Sequence, residues 1–202
     1  MDVYKTVRNS AQAELKVKGS KFIGQIFPVN SRSAADQKIS EIKVEFYDAA
    51  HNCSAYRIGT GKDTLYYYDD DGEPSGTAGK PIFQTLVGEE LTYTLLVVTR
   101  YFGGTKLGTG GLVRAYSETA KLAIGQANIV EKVKTDILQL QTIYEDISQV
   151  MRVIERLHGQ IVHQDYGEEV RLDVAVRRSI SDQFRQELRD ATAGRIRFVS
   201  SP

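Results

Sequence analysis

The feature that most constrains the fold of this chain is a glycine-dense segment between an apolar stretch and an amphipathic one. Residues 95–99 form an almost unbroken run of leucine, valine and threonine, which predicts a buried strand. From Gly111 or Leu112 toward Ala127, apolar residues recur with the period of a helix. The sequence therefore predicts a strand, a glycine loop and a helix in this order.

The glycine loop has two competing explanations, an anion-binding surface or close packing of the strand against the helix. Five glycines fall within nine positions, which indicates positive φ angles or close approach of a backbone or a ligand. Free N–H groups and the positive dipole end of the following helix favour phosphate or carboxylate. The candidate anion-binding or nucleic-acid-binding residues are the glycines and nearby cations Gly103, Gly104, Gly108, Gly110, Gly111, Lys21, Arg100, Lys106 and Arg114.

The spacing of these residues excludes two familiar phosphate-binding motifs. A Walker loop requires a lysine directly after its last glycine and a Ser or Thr after that lysine, whereas Lys106 precedes the last glycines. A dinucleotide-binding fingerprint requires Gly or Ala where Val113 stands. Neither a P-loop nor a Rossmann site is predicted.

Composition limits the classes of partner. Basic and acidic residues both number 26, so no global positive field attracts nucleic acid, and any partner must be recognised by a local surface. The single cysteine, Cys53, cannot form an internal disulfide, and the sequence shows no signal peptide and no apolar run of about 20 residues. We therefore expect a cytoplasmic protein with no membrane partner, no DNA sequence specificity, no cofactor and no metal.

The first half of the chain predicts a hairpin, two helices and a short strand. Alternating residues over 4–29, with a turn at 18–20, predict antiparallel strands. Ser31 or Ser33 is expected to cap a helix that continues to about Tyr47. The next expected elements are a strand over 56–59 and a helix near 82–87, with Pro81 in its first turn and Ser75 or Thr77 as its cap.

Two polar segments supply candidates for a pocket. His51 and Cys53 would share one face of an extended segment, as a thiolate–imidazole pair requires, although a lone cysteine is more often a small buried apolar residue. No third orienting group can be assigned, so no catalytic residue is predicted. The acidic run 69–73 lacks the spacing of a calcium loop and predicts a turn. The pocket candidates are His51, Asn52, Cys53, Tyr56, Asp71, Glu73, Ser75, Thr77 and Tyr101.

The composition changes in the last third of the chain. Residues 135–202 contain no lysine, nine arginines and eleven acids, which predicts a domain boundary near 130–135 and two domains over 1–132 and 135–202. The periodicity of the second domain predicts the order βαββαβ, which is ferredoxin-like. The overall fold class is therefore α+β.

Four segments of the first domain carry a resemblance to a known family. They are SKFI at 20–23, HNCSAY at 51–56, DDGEPSGTAGKP at 70–81 and VTRYFGGTKLGTGGLVRAY at 98–116. With these motifs the chain resembles the YigZ/IMPACT family. The resemblance implies a first domain similar to elongation factor G domain IV and to GHMP small-molecule kinases, with a left-handed βαβ crossover. It implies a second, ferredoxin-like domain similar to elongation factor G domain V.

The resemblance also implies a setting in translation. Eukaryotic IMPACT proteins restrain the kinase that phosphorylates a translation initiation factor, by competing for its activator. They carry an additional N-terminal RWD domain, which we do not expect in this chain. Our leading hypothesis is a non-enzymatic binding protein that contacts RNA, the ribosome or a protein partner in translation control through residues 103–111, with Tyr56 or Tyr101 stacking on a base.

Two alternatives remain open from the sequence. The first is an enzyme that acts on a phosphorylated or carboxylated small molecule at the same surface, with Asp71 or Glu73 binding a metal or acting as a base. The second is an architectural role for the glycines, with the arginine-rich surface of the second domain binding a protein partner.

Overall fold

The structure, a computed structural model, describes residues 2–199, which form two compact units. The first unit covers residues 4–132, and the second comprises residues 133–199 with residues 2 and 3. The strands, in chain order, are β1 (Val3–Val7), β2 (Ala11–Val17), β3 (Ser20–Pro28), β4 (His51–Ile58), β5 (Leu65–Asp69), β6 (Thr94–Tyr101), β7 (Ile129–Val133), β8 (Thr135–Thr142), β9 (Gln160–Tyr166), β10 (Val170–Arg177) and β11 (Arg197–Val199). The α-helices are α1 (Arg32–Glu45), α2 (Gly79–Gly88), α3 (Gly108–Gly125), α4 (Ile147–Arg156) and α5 (Ser181–Ala191).

The first unit is built on a five-stranded sheet with the order β2-β3-β6-β4-β5, in which all neighbours are antiparallel. Because β3 and β4 both run antiparallel to β6, they are parallel to each other and are joined by α1 as a crossover. In the same way β5 and β6 are parallel, with β4 between them and α2 as their connection. The separate strand β1 pairs with β7 rather than with β2.

Helices cover both faces of this sheet. Leu95 and Val97 of β6 pack in the cluster formed with α1, whereas Leu96 and Val98 pack in the cluster formed with α2 and α3. A central strand that is buried on both faces needs apolar residues at every position, which explains the unbroken run in the sequence. The prediction of a buried strand over 95–99 is therefore confirmed.

Local signals placed the hairpin turn and the first helix correctly, but the hairpin covers residues 11–28 rather than 4–29, because the residues before it form the separate strand β1. The turn between β2 and β3 has positive φ at Lys18 (47°) and Gly19 (83°), as a two-residue turn that matches the strand twist requires. Helix α1 follows Ser31, whose Oγ accepts a 3.2 Å hydrogen bond from the Ala34 N–H.

Three predicted element boundaries were wrong. Strand β4 begins at His51 rather than at residue 56, because pairing with β6 starts at the pair His51–Arg100. Helix α2 begins at Gly79, and no side chain of Ser75 or Thr77 caps it. Helix α3 begins at Gly108, three or four residues earlier than predicted, so its first turn contains three glycines that were expected in the loop, Gly108, Gly110 and Gly111.

The second unit has the predicted βαββαβ order. Its sheet is antiparallel with the order β11-β8-β10-β9, which is the ferredoxin-like arrangement. Helices α4 and α5 pack on the sheet through an apolar core whose buried members include Val150, Ile154, Phe184, Leu140 and Leu172. Across residues 2–199, no helix has the combined length and apolarity that a membrane span requires.

Candidate functional site

Three loops of the first unit and the start of β4 meet at one end of its sheet. Strands β3 and β4 begin there, and β5 and β6, which run in the opposite direction, end there. The turn 18–19, the loop 70–78 and the glycine loop 102–107 therefore lie at the same end, which we call the loop end of the sheet. The segments that carry the family resemblance all reach this end.

Most of the glycine loop is open to solvent. Residues 102–106 are exposed, and a Cβ added at Gly104 would meet no atom within 4 Å. Gly104 (85°) and Gly108 (71°) have positive φ, a conformation that other residues adopt at a cost. The loop is therefore not sealed beneath the core.

Gly103 is an exception, because it packs against the hairpin turn. A Cβ at Gly103 would lie 1.9 Å from the carbonyl carbon of Gly19 and 2.2 Å from the nitrogen of Ser20. The Gly103 N–H donates a 3.1 Å hydrogen bond to the Ser20 Oγ. Close backbone packing explains this glycine, whereas Gly104 and Gly108 provide positive φ.

The glycine loop leads directly into the start of α3. The first turn contains Gly108, Gly110 and Gly111, no side chain caps it, and it contains no acidic residue. A Cβ at Gly110 would have as its nearest neighbour the Nη1 of Arg114, at 3.9 Å. The first N–H groups of this 18-residue helix therefore have no side-chain cap, and the dipole favours an anion beside them.

The four candidate cations have different environments. Lys106 and Arg114 are exposed, and neither forms an ion pair within residues 2–199. Lys21 is partly exposed and lies 2.8 Å from the Oε2 of Glu14. Arg100 was expected on the anion-binding surface, but only 5% of it is exposed, because β6 places it in the interior. We therefore exclude Arg100 from that surface.

Arg100 belongs to a buried polar network instead. Its Nη1 donates a 2.5 Å hydrogen bond to the Oε1 of Glu73, which also accepts a 2.8 Å hydrogen bond from the hydroxyl of Tyr116. The guanidinium lies between two rings, 5.4 Å from the centre of Phe22 and 5.6 Å from that of Phe102. Glu73 therefore neutralises Arg100 and is not available as a base or a metal ligand for a ligand in solvent.

Cys53 joins the same network and does not form the expected pair with histidine. Its Sγ lies 3.0 Å from the carbonyl oxygen of Asp70 and 3.4 Å from the hydroxyl of Tyr116. Burial raises the pKa of the Cys53 thiol and that of the Tyr116 hydroxyl far above their ordinary values. The thiol is fully buried and protonated, which argues against a nucleophilic role.

His51 and Asp71 form a second cluster nearer to solvent. The Nδ1 of His51 lies 2.8 Å from the carbonyl oxygen of Asp71 and donates to it, since a carbonyl can only accept. The Nε2 faces Glu73, 3.8 Å from its Oε1. Burial opposes ionisation of Asp71, but hydrogen bonds from the Lys43 ammonium (2.6 Å) and the Asn52 N–H (2.7 Å) hold the pKa of this carboxyl below its ordinary value.

The acidic run forms a turn, as predicted, and it also caps α2. The Oδ1 of Asp70 accepts hydrogen bonds from the N–H groups of Ala78 (3.0 Å) and Gly79 (2.8 Å), and its Oδ2 accepts from Gly76 (2.7 Å). Local sequence does not reveal this cap, because Asp70 lies nine residues before the first residue of the helix. Within the described chain, no group of three or more His, Cys, Asp or Glu side chains is arranged to hold a metal.

The remaining pocket candidates do not form a common cavity surface. Tyr56 is only 1% exposed and stacks on Tyr67, so our expectation that it stacks on a base is wrong. Asn52 is buried, and its amide oxygen accepts a 2.7 Å hydrogen bond from Thr99. The other three make local contacts or face solvent: Thr77 donates to the Pro74 carbonyl, Tyr101 donates to Asp48, and Ser75 is exposed.

Comparison with known proteins gives consistent matches over both units. The Impact N-terminal domain matches residues 18–124, and a domain of unknown function, DUF1949, matches residues 140–195. The chain is 33% identical to the IMPACT family member YvyE of Bacillus subtilis (strain 168), over 95% of this chain and 88% of the relative. It is 32% identical to the IMPACT family member YigZ of Escherichia coli (strain K12), over 92% of this chain and 91% of the relative.

A solved structure extends these matches to the fold. A crystal structure described as that of a hypothetical protein is similar with a TM-score of 0.71 and 30% identity, and the match covers 100% of this chain and 98% of that one. The Impact N-terminal domain alone accounts for more than half of the 202 residues. On these grounds the chain belongs to the IMPACT family.

Proposed function

We propose that this chain is a non-enzymatic cytoplasmic protein that binds the phosphate backbone of RNA, on the ribosome or in translation control. The binding surface is the glycine loop 102–107 with the first turn of α3. The observation that carries the proposal is the position of two exposed cations, Lys106 and Arg114, beside an uncapped helix start, with no acidic partner for either in the described chain.

The chemistry of this surface fits a phosphodiester better than a base. Backbone N–H groups at a helix start, together with ammonium and guanidinium groups, bind phosphate oxygens, and such contacts position a nucleic acid without reading its sequence. At Gly104 and Gly110 no side chain obstructs the approach of a phosphate to the backbone. We therefore expect binding that depends strongly on salt and weakly on RNA sequence.

The hairpin turn adds positive charge at the same end of the sheet. Packing of Gly19 against Gly103 brings the turn beside the glycine loop, and the neighbouring Lys18 is exposed. Lys21, although paired with Glu14, keeps 40% of its side chain accessible. Lys18 therefore increases the local positive potential of a chain whose total charge is zero, whereas the Lys21–Glu14 pair carries no net charge.

The family supports translation as the setting. Eukaryotic IMPACT proteins act on the control of translation initiation, and the first domain resembles a domain of the elongation factor that moves RNA on the ribosome. Both points come from the resemblance, and they favour RNA over other polyanions as the partner.

The proposal is tested by the salt dependence of RNA binding. Fluorescence anisotropy with a short labelled single-stranded RNA gives Kd at salt concentrations between about 50 and 200 mM. We expect Lys106→Ala with Arg114→Ala to reduce the slope of log Kd against log salt by about 0.7 for each phosphate that is no longer neutralised. Lys121→Ala, which removes a positive charge toward the other end of α3, is the control. The proposal would be refuted if Lys121→Ala reduced this slope as much as the double variant does. It would also be refuted if the affinity for RNA did not depend on salt.

A small-molecule ligand at the same surface is the competing interpretation. Isothermal titration with nucleotides in the presence and absence of Mg²⁺ distinguishes the two. Tight, Mg²⁺-dependent binding that is lost in the Lys106→Ala variant would favour an enzyme or a nucleotide-binding protein over an RNA-binding protein.

A further inference from the structure

The two edges of the five-stranded sheet differ in how they are protected. Strand β5 forms one edge, and the side chains of its first four residues, Leu65–Tyr68, are apolar or aromatic. All four are exposed, with values between 36% for Tyr67 and 61% for Tyr66. An edge strand with free backbone groups and exposed apolar side chains is a template for pairing with another strand.

The opposite edge carries the features that prevent such pairing. On β2, the exposed positions are occupied by Gln12, Glu14 and Lys16. Charged residues at alternate positions of an edge oppose the addition of another strand. Strand β5 contains no lysine, arginine or proline and has one acidic residue, Asp69, at its end. Of the two edges of this sheet, the β5 edge is therefore the one that lacks protection against the addition of a strand.

We propose that two copies of this chain pair through their β5 edges, antiparallel about a two-fold axis perpendicular to the sheet, so that the two sheets become one. A symmetric dimer of this kind needs a strand that is complementary to itself. Pairing would give each β5 a partner for its outer N–H and C=O groups, which pair with no strand within residues 2–199.

The positions of the tyrosines select the register. Tyr66 and Tyr68 lie on the α2 face of the sheet, where their rings are 5.4 and 5.8 Å from that of Phe83, whereas Tyr67 lies on the α1 face, stacked 5.1 Å from Tyr56. Directly opposite residues of antiparallel strands occupy the same face. A register centred on Tyr67 satisfies this condition and overlaps all five residues of β5 with their equivalents.

This register places complementary groups opposite each other. Tyr66 of one copy faces Tyr68 of the other, an aromatic cross-strand pair, and Tyr67 faces Tyr67. The strand starts lie near the strand ends of the other copy, so Lys62, just before β5, approaches the acidic residues that begin at Asp69. Because the net charge of the chain is zero, no long-range repulsion opposes the association.

The same features argue against RNA as the occupant of this edge. The three tyrosines alternate between the two faces of the sheet, whereas a stacking platform for bases presents its rings on one face. The absence of cations within β5 removes the usual phosphate contacts. A second copy of the chain would contact the side chains on both faces of β5 and would also pair with its outer backbone groups.

The proposal is tested by analytical ultracentrifugation of the full chain over a range of concentrations, with paired charge variants. In this register, Tyr67→Glu places two carboxylates directly opposite each other, and Tyr67→Lys places two ammonium groups there. We expect the parent chain to form a concentration-dependent dimer and each variant alone to raise the Kd for dimerisation by about tenfold or more. A mixture of the two variants should restore the dimer.

Two outcomes would overturn the proposal. One is a chain that stays monomeric at all concentrations, and the other is a dimer that persists in Tyr67→Glu. Tyr47→Glu, at a tyrosine that is 85% exposed and outside the sheet, is the control and should dimerise as the parent does. Failure of the mixed variants to associate would contradict the two-fold register, because restoration by opposite charges requires the two positions to be adjacent.

Discussion

Arg100 and Glu73 form an ion pair that is nearly inaccessible to solvent, with 2.5 Å between Nη1 and Oε1, and Tyr116 donates to the same carboxylate oxygen. The pair connects the end of β6, the loop 70–78 and α3. Breaking a buried ion pair at one partner is more destabilising than replacing both, because the remaining charge is left unpaired in the interior.

The first prediction concerns this pair. We expect Glu73→Ala to lower the free energy of unfolding by about 3–5 kcal/mol, since Arg100 would remain buried without a counter-ion. The double variant Glu73→Leu with Arg100→Met should lose less than the single variant, as measured by urea denaturation. A double variant that is as unstable as the sum of its two single changes would show that the charges do not act as a pair.

The second prediction concerns two glycines with different surroundings, Gly103, which packs against another backbone segment, and Gly110, which does not. Gly103→Ala should destabilise the chain by about 3 kcal/mol or more, because the new methyl group would overlap the backbone of Gly19 and Ser20. In the first turn of α3, a Cβ at Gly110 would meet only the Nη1 of Arg114, at an ordinary contact distance of 3.9 Å, so Gly110→Ala should be neutral or stabilising by up to about 1 kcal/mol. Thermal unfolding of the two variants measures the difference, and similar effects would contradict this division.

The third prediction concerns the single thiol. Because Cys53 is buried and its thiol has a raised pKa, we expect a thiol reagent at pH 8 to react at least about 100 times more slowly with the folded chain than with the chain in urea. Ser75→Cys introduces an exposed thiol near the same network and should react rapidly without denaturant. Rapid reaction of Cys53 in the folded parent would restore it as a candidate nucleophile.

The fourth prediction concerns acid stability. The pKa of Asp71 in the folded chain is below its ordinary value of 3.8, so the unfolded chain takes up this proton at a higher pH than the folded chain does. The contribution of the ionised Asp71 carboxylate to the free energy of unfolding is therefore complete above about pH 5. It is lost as the pH falls through 3.8 toward the pKa of Asp71 in the folded chain. In Asp71→Asn, the free energy of unfolding measured between pH 3 and 6 should depend less on pH than it does in the parent chain. A pH profile of Asp71→Asn that is identical to that of the parent would contradict this assignment.

The parts of the fold that local sequence determines were predicted well. Alternation and a Lys-Gly turn specify the β2–β3 hairpin, Ser31 caps the helix that follows it, and the periodicity after residue 135 identifies the ferredoxin-like unit. The starts of β4 and α2 were missed because they depend on distant partners. His51 is in a strand because it pairs with β6, and α2 starts at Gly79 because Asp70 caps it from across a loop.

The candidate site shows the same division between local and distant effects. The sequence left two explanations for the glycine loop, an anion-binding surface or close packing. The loop is exposed together with Lys106 and Arg114, whereas Gly103 packs against the backbone of Gly19. The sequence also placed Arg100 among those cations, although Glu73, 27 residues earlier in the chain, neutralises it in the interior. A sequence shows that a residue carries charge but not which distant residue pairs with it.

The backbone contact between the hairpin turn and the glycine loop also limits where the chain can vary in length. Gly19 and Gly103 touch without any side chain between them, so a residue inserted at the turn would displace the loop, and a residue inserted before Gly103 would displace the turn. Insertions and deletions in related chains should therefore avoid both segments or occur in both together, and the two segments should evolve as one unit.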